Sequence, residues 1–260
     1  MAMDPSSWLG RRIRRRAAEQ WRRLGAAVRA GSKRPGRRLR EEAQDLRRDL
    51  SLFLQASEAA AQSGTPVEAL HFPPGTDWRW RPMMFSGPMQ PAGMAAPENG
   101  QRLGEEVALW HDCPHRSLIL RQQVNRRATD LAPYGLRLEV MGFAGSYLSL
   151  SLDLPPDARE ALSAHHILRL GTALQSERPI TVYGRLNISQ GPNTEVILRQ
   201  LGEPVTGRTT ERVVEFDLGY AELSRRAVDK LWLDLIFEAP HMNAVTLTDL
   251  VMSRHSRADI

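Results

Sequence analysis

Ten short segments in which apolar and polar residues alternate follow one another between residues 106 and 252 of this 260-residue chain. Alternation with a period of two residues is typical of β-strands buried on one face, and many such strands at regular spacing indicate a sandwich or a barrel. Only 157–164 and 220–228 resemble short helical turns. The sequence therefore predicts a mainly β domain over 105–260. The expected strands are 106–110, 117–122, 136–143, 146–154, 165–172, 180–188, 194–201, 212–218, 230–238 and 244–252.

The same alternation divides each strand into a core side and an outward side. Several outward positions carry aromatic rings beside groups that can bond to hydroxyls. Sugars suit such a surface, because their C–H bonds stack on rings while charged and amide groups bind their hydroxyls. The alternation does not say whether one sheet or two contribute, and an alternative is that residues 63–104 cover these rings as a second small core. The candidate ligand-binding residues are Tyr147, Tyr183, Arg185, Asn187, Trp232 and Asp234.

The run from Leu148 to Arg254 resembles the jelly-roll sandwich of carbohydrate-binding modules and galactose-binding-like domains. More broadly, the chain resembles an uncharacterised bacterial family in which a basic helical N-terminus precedes such a sandwich. The resemblance rests on strand rhythm over about 40% of the chain, mainly 180–187, 213–218, 231–240 and 245–252. It implies a jelly-roll-like antiparallel β-sandwich that binds glycans through one sheet face.

The basic character of the chain is concentrated in its N-terminal part. Residues 1–60 hold fifteen basic and seven acidic residues, whereas 61–260 hold twenty and twenty-three. The spacing over 8–29 predicts an amphipathic helix with an apolar arc of about 120° and its arginines outside that arc. A tryptophan in the arc suits the headgroup depth of an anionic leaflet, with guanidinium groups on phosphates. The expected membrane-surface residues are Leu9, Ile13, Trp21 and Leu24 with Arg14, Arg15 and Arg22.

Three other interpretations of this helix remain open. Its apolar stripe could pack on the body of the protein, or the segment could be an organellar transit peptide. It could also bind nucleic acid, which is less expected because phosphate contacts do not need a stripe that carries Trp21. No apolar segment follows the arginines as in a secretory signal, and no run of 18 apolar residues could span a bilayer. The expected location is the cytoplasm, at the periphery of the inner membrane.

A second helix is predicted over 37–62. Apolar and small residues recur there at alternating steps of four and three, which is the seam of a helix that faces another helix. An antiparallel hairpin with the first helix, or packing on the body, is favoured over a homo-oligomer formed through 37–62. The seam consists of Leu39, Ala43, Leu46, Leu50, Phe53, Ser57 and Ala60.

Residues 63–104 form a connector with seven prolines and six glycines. Regular structure is poorly supported in such a segment, yet it is too apolar for a free linker. We expect it to lie extended on the body as a separate part between the extension 1–62 and the domain 105–260. Trp78 and Trp80 project to one side of an extended strand. Buried anchoring is favoured for them over an exposed sugar-stacking platform.

Catalytic motifs are absent from the sequence, which has no P-loop, nucleophile elbow or zinc-protease signature. In an extended strand, His111, Cys113 and His115 would lie on one face and offer side chains that bind a tetrahedral metal such as zinc. However, Pro114 disturbs the geometry and no fourth ligand is evident. Polar packing is therefore favoured over a metal site, and we expect no cofactor. The overall prediction is a non-enzymatic binding or scaffolding protein. A glycan-active enzyme or a nucleic-acid-associated protein is the alternative.

Overall fold

The computed structural model describes residues 7–32, 34–59, 64–224 and 226–257. The chain divides into two compact units, Met1–Ser51 and Leu52–Ile260. The first unit contains helix α1 (Trp8–Arg29), and helix α2 (Arg37–Ala59) begins there and continues into the second. Within these described residues, no helix is long and apolar enough to cross a membrane. The last residues expected in the second helix, 60–62, lie outside the described residues.

Helix α1 has the bounds that the sequence predicts. The Ser7 hydroxyl accepts a hydrogen bond of 3.1 Å from the Gly10 N–H and so caps the first turn. Gly31 takes a φ of +69°, which lets the Ser32 N–H reach the Ala27 carbonyl at 3.1 Å and ends the helix. In the apolar arc, Leu9 and Ile13 are exposed.

The seam of α2 is also largely exposed. Leu46 is 38% exposed, Leu50 53% and Phe53 67%. Since the arginine-rich and acidic positions of α2 are exposed too, the helix has solvent on most of its surface.

Among the described residues of the second unit, thirteen strands form two antiparallel sheets, together with a short helix α3 (Met83–Ser86). Their bounds are β1 (Thr76–Trp80), β2 (Gly93–Ala95), β3 (Gln101–Leu103), β4 (Val107–His111), β5 (Leu118–Val124), β6 (Tyr134–Val140), β7 (Leu148–Asp153), β8 (His166–Ser176), β9 (Val182–Gln190), β10 (Asn193–Gln200), β11 (Thr210–Asp217), β12 (Lys230–Phe237) and β13 (Asn243–Ser256). Each of the ten strands expected from the sequence is present.

The first sheet has the strand order β11-β8-β13-β6-β5-β2, with β1 beside the end of β13. The second sheet has the order β10-β9-β12-β7-β4-β3. From β7 to β13 the chain passes repeatedly from one sheet to the other, so the fold is a jelly-roll-like antiparallel sandwich. Alternate leucines such as Leu150, Leu186 and Leu233 fill the space between the sheets.

The connector is part of the sandwich and not a layer upon it. It supplies β1, β2 and β3, and it places Met84 and Phe85 in the core. The expected lack of regular structure in this segment is therefore wrong. These strands are only three to five residues long, and pairing with longer strands stabilises them. Trp78 and Trp80 face inward beside Arg254 and Met252, which confirms anchoring and excludes the sugar platform.

Candidate functional site

The outer face of the second sheet, here called the second-sheet face, carries all the candidate ligand-binding residues. Strand register places Arg185 of β9 opposite Asp234 of β12, and Asn187 opposite Trp232. Tyr183 lies opposite Ile236 on the same two strands. Tyr147 directly precedes β7 and has the parity of the outward Ser149. The predicted residues therefore come together on one sheet, a point that the sequence left open.

A buried carboxylate forms the polar centre of this face. Asp234 accepts hydrogen bonds from Arg185 Nε at 3.0 Å and from Asn187 Nδ2 at 2.8 Å. The second guanidinium contact, from Arg185 Nη2, is 2.9 Å long. Asp234 and Asn187 are buried while the Arg185 side chain is partly exposed. The network fixes the guanidinium and leaves part of it accessible to a ligand hydroxyl.

Trp232 lies beside a second charged group. The Lys230 ammonium is 5.3 Å from the centre of the Trp232 ring and 2.8 Å from an Asp153 carboxylate oxygen. Arg102 Nη2 binds the other Asp153 oxygen at 2.8 Å. The Lys230 ammonium therefore makes a cation–π contact with Trp232, and Asp153 bridges Lys230 and Arg102 beside it.

Two aromatic residues stand at the opposite end of the face. Trp110 of β4 is 44% exposed and lies opposite Ser149. Its ring rests on the backbone at Gly100, where a φ of +74° and a Cβ contact of 3.0 Å with the ring would strain any other residue. Tyr147 is 41% exposed. Trp110 was not predicted from the sequence as a ligand-binding residue. Its alternation with the core residues Val107 and Leu109 is a signal from which an outward position could have been predicted.

The segment before Tyr147 is held by one carboxylate. Asp112 accepts hydrogen bonds from the Ser146 N–H at 2.7 Å, the Ser146 hydroxyl at 2.5 Å and the Tyr147 N–H at 3.2 Å. The Ser146 hydroxyl, followed by the two backbone groups, lowers the pKa of Asp112. An ionised Asp112 therefore positions Tyr147 on the face.

Tyr183 of β9 lies on the side of the second-sheet face away from β4. Its hydroxyl is 3.4 Å from a Glu238 oxygen, and partial desolvation together with the Glu238 charge raises the pKa of the phenol. Tyr183 and Trp110 are three strands apart, or roughly 14 Å. Connector residues reach the edge of this face, where Asn99 Oδ1 lies 3.5 Å from the Tyr147 hydroxyl and Gly100 packs on Trp110. Tyr147 nevertheless remains exposed and is not buried in a second small core.

The weak metal candidate is not assembled. The buried His111 has Nε2 3.1 Å from the Pro97 carbonyl, and its Nδ1 accepts a bond of 3.2 Å from the Cys113 N–H. Both ring nitrogens are thus used by the backbone, while His115 is exposed. Among the described residues, no three histidine, cysteine or carboxylate side chains are grouped to hold a metal. Burial opposes ionisation of Cys113, but hydrogen bonds from backbone N–H groups lower the pKa of its thiol overall.

A groove of about 460 Å³ lies on the outer face of the first sheet. Residues 65–72 form one wall, and Gly171 forms part of the floor. A Cβ added at Gly171 would meet no atom closer than 3.8 Å, so a side chain at this position would project into the groove. Asp249 in this groove is buried against Arg81, with contacts of 2.9 Å to Nε and to Nη2. Burial raises the pKa of Asp249 although the guanidinium opposes the shift. The groove contains none of the candidate ligand-binding residues.

Carboxylates that a glycan-active enzyme would need are divided between the two sheets. Glu215 and Asp217 lie on β11 in the first sheet, whereas Asp234 and Glu238 belong to β12 and the residue after it in the second. Asp234 is committed to Arg185 and Asn187. This arrangement holds a fixed polar surface rather than a pair of free carboxylates.

A family model described as "Family of unknown function (DUF6478)" matches residues 1–260. The chain belongs to this family. A search of curated proteins found no match. Similar solved structures include the CBM22-1 xylan-binding domain from Paenibacillus barcinonensis Xyn10C, with 11% identity and a TM-score of 0.37 over 64% of this chain and 94% of that one.

Two further structures are similar at the same level. The family 11 carbohydrate-binding module from Clostridium thermocellum, in complex with a mixed-linked tetrasaccharide, has 8% identity and a TM-score of 0.36 over 63% of this chain and 96% of that one. The tailspike protein 4 domain of bacteriophage CBA120 has 8% identity and a TM-score of 0.42 over 60% of this chain. The match spans only 21% of the tailspike chain.

Proposed function

We propose that this protein is a non-enzymatic binding protein that attaches to the cytoplasmic face of the inner membrane through α1 and binds a glycan through the second-sheet face. The observation that carries the glycan part is the gathering of the six predicted residues and Trp110 on the outer face of one sheet, with Tyr147 and Trp110 exposed. A buried Asp234 fixes the Arg185 guanidinium on the same face.

A glycan fits this face better than a flat protein partner or a charged ligand does. Each carboxylate at the centre of the face is already matched by cations, since Asp153 contacts Arg102 and Lys230 while Asp234 contacts Arg185. The face therefore offers rings for C–H stacking and oriented donors for hydroxyls, without a strong field of one sign.

The test is a glycan array probed with the full chain and with two matched double variants. Trp232→Ala with Tyr183→Ala removes rings from the second-sheet face and is expected to abolish binding. Val213→Ala with Gly171→Leu alters and fills the groove on the first sheet and is expected to leave binding unchanged. Binding lost only in the groove variant would move the site to the first sheet. Absence of binding by the unaltered chain to every glycan would reject this part of the proposal.

Membrane attachment is supported by the exposed part of the α1 arc and by eight arginines on the same helix. At about 1 kcal/mol per basic residue near an anionic surface, these arginines supply at most about 8 kcal/mol, which corresponds to micromolar binding. Salt weakens that contribution, whereas inserted apolar side chains continue to bind when charges are screened.

Co-sedimentation with phosphatidylglycerol vesicles, at low and high salt, separates the two contributions. Leu9→Gln with Ile13→Gln is expected to remove the binding that survives high salt, while Ala18→Gln, outside the arc, is the matched control. Arg14→Gln, Arg15→Gln and Arg22→Gln together are expected to remove most binding at low salt. Equal sedimentation of all variants would refute attachment through α1. The nucleic-acid alternative would be favoured by two results together. High salt would release all of the protein from the vesicles, and the protein would bind nucleic acid at low salt in the absence of vesicles.

A further inference from the structure

The exposed seam of α2 has a defined heptad assignment. With Ala43, Leu50 and Ser57 at positions a, the positions d are Leu39, Leu46 and Phe53. The larger apolar side chains of the seam, Leu46, Leu50 and Phe53, are the ones that the structure leaves exposed. An apolar seam with this spacing is stable in water when another helix with the same spacing covers it.

The positions that flank the seam carry charges of opposite sign on its two sides. Arg40 and Arg47 occupy positions e, and Glu42 and Asp49 occupy positions g. All four are exposed. On the back of the helix, Arg37 binds Glu41 at 2.7 Å and Arg48 approaches Asp45 at 3.7 Å.

This distribution of charge selects both a partner and an orientation. In a parallel pair of α2 helices, position g of one chain meets position e of the next heptad in the other. Glu42 then meets Arg47 of the second copy, and this happens twice by symmetry. In an antiparallel pair e meets e and g meets g, so that arginines would face arginines and carboxylates would face carboxylates. A second copy of the chain in parallel orientation therefore covers the seam and places opposite charges across its flanks.

We propose that the protein forms a parallel homodimer through the α2 seam, held by Leu39, Leu46, Leu50 and Phe53 and by two Glu42–Arg47 pairs between chains. This inference rests on α2 alone and is independent of the glycan and membrane proposals. The parallel arrangement brings the beginnings of the two α2 helices together. Because α1 precedes α2 in each chain, both α1 helices connect to the dimer at this same end.

The first test measures the mass of the full chain by light scattering over a range of concentrations. A dimer of about 58 kDa is expected, twice the chain mass of 29.2 kDa. Leu50→Asp is expected to give the monomer, and Gln44→Asp, which adds the same charge at position b on the back of the helix, is expected to remain dimeric. Thermal unfolding of the sandwich, unchanged in both variants, shows that each chain is folded. A monomeric wild-type chain, or a dimer unaffected by Leu50→Asp, would overturn the proposal.

Charge reversal tests the flanking pairs. Glu42→Arg alone and Arg47→Glu alone each place like charges between chains and are expected to weaken self-association by roughly tenfold. A mixture of these two variants restores opposite charges at both pairs and is expected to associate as tightly as wild type. The double variant in one chain is expected to do the same. Failure of both restorations would show that these residues do not meet.

A cross-link decides the orientation. In a chain whose single cysteine is replaced by Cys113→Ser, Leu39→Cys is expected to form a disulfide between chains on oxidation, because parallel d positions lie side by side. In an antiparallel pair centred on the seam, the two residues 39 would be about 27 Å apart. Gln44→Cys on the back of the helix is the control and is expected to remain uncrosslinked. A dimer that cross-links no better through residue 39 than through residue 44 would contradict the parallel arrangement.

Discussion

Replacing Glu106 with glutamine is expected to remove a pH-dependent loss of stability from the sandwich. Glu106 lies between β3 and β4, and its Oε2 accepts a hydrogen bond of 2.7 Å from the Met83 N–H at the start of α3. Burial of the carboxylate raises its pKa from 4.5 to about 7, although the bonds from the backbone N–H groups of Met83 and Met84 oppose the shift.

The sign of the effect follows from the raised pKa. Below pH 4.5 the group is protonated in the folded and the unfolded chain, and its contribution to stability is fully present. As the pH rises toward and through 7, the unfolded chain ionises first and that contribution is lost. A rise of the pKa from 4.5 to about 7 corresponds to about 3 kcal/mol above pH 8. For a unit the size of 52–260, this amounts to roughly 6–12 °C in Tm.

The assay is thermal unfolding of wild type, Glu106→Gln and Glu222→Gln between pH 5 and pH 8.5. Glu222 is exposed and serves as the matched control. The glutamine at 106 can still accept the bond from Met83, so its Tm should exceed that of wild type increasingly as the pH rises, while Glu222→Gln should follow wild type. If the difference in Tm between Glu106→Gln and wild type does not change with pH over this range, the pKa of Glu106 is not raised in the folded chain and the reasoning fails.

Three further predictions concern the same unit. Trp78→Ala is expected to lower the free energy of unfolding by about 3–5 kcal/mol, and Trp80→Ala by less because Trp80 is only half-buried; urea denaturation measures both. Arg81→Leu leaves Asp249 buried without its cation and should cost about 3–5 kcal/mol, whereas replacing both residues by leucine should cost less in the same measurement. Asp112→Ala frees the backbone amides that it binds, so their hydrogen exchange should accelerate while the global Tm changes little.

Much of the sandwich could be predicted because its strands are long enough to show alternation. The run from Leu148 to Asp153 displays its core and outward sides directly in sequence, and the observed faces agree with them. Strands β1, β2 and β3 were not predicted, since three to five residues among prolines and glycines give no period. They exist because β13, β5 and β4 offer free edges for pairing.

The composition of the candidate site was predictable, but its assembly was not. Parity shows that Tyr183 and Trp232 point outward from their strands, yet it cannot show which strands are neighbours. That β9 and β12 pair, with Asp234 opposite Arg185, depends on contacts far apart in sequence. His111 was ambiguous for the same reason, because the carbonyl of Pro97 that occupies its ring nitrogen comes from another segment.

The most direct test of the account is a titration of the full chain with a glycan found on the array, observed through the indole N–H signals of its six tryptophans in ¹H–¹⁵N NMR. Single Trp→Phe variants assign the signals. The signals of Trp232 and Trp110 on the second-sheet face are expected to shift with a common saturation curve, while that of the buried Trp78 stays in place. Shifts confined to Trp78 or Trp80, or to the tryptophans of α1, would contradict a glycan site on the second-sheet face.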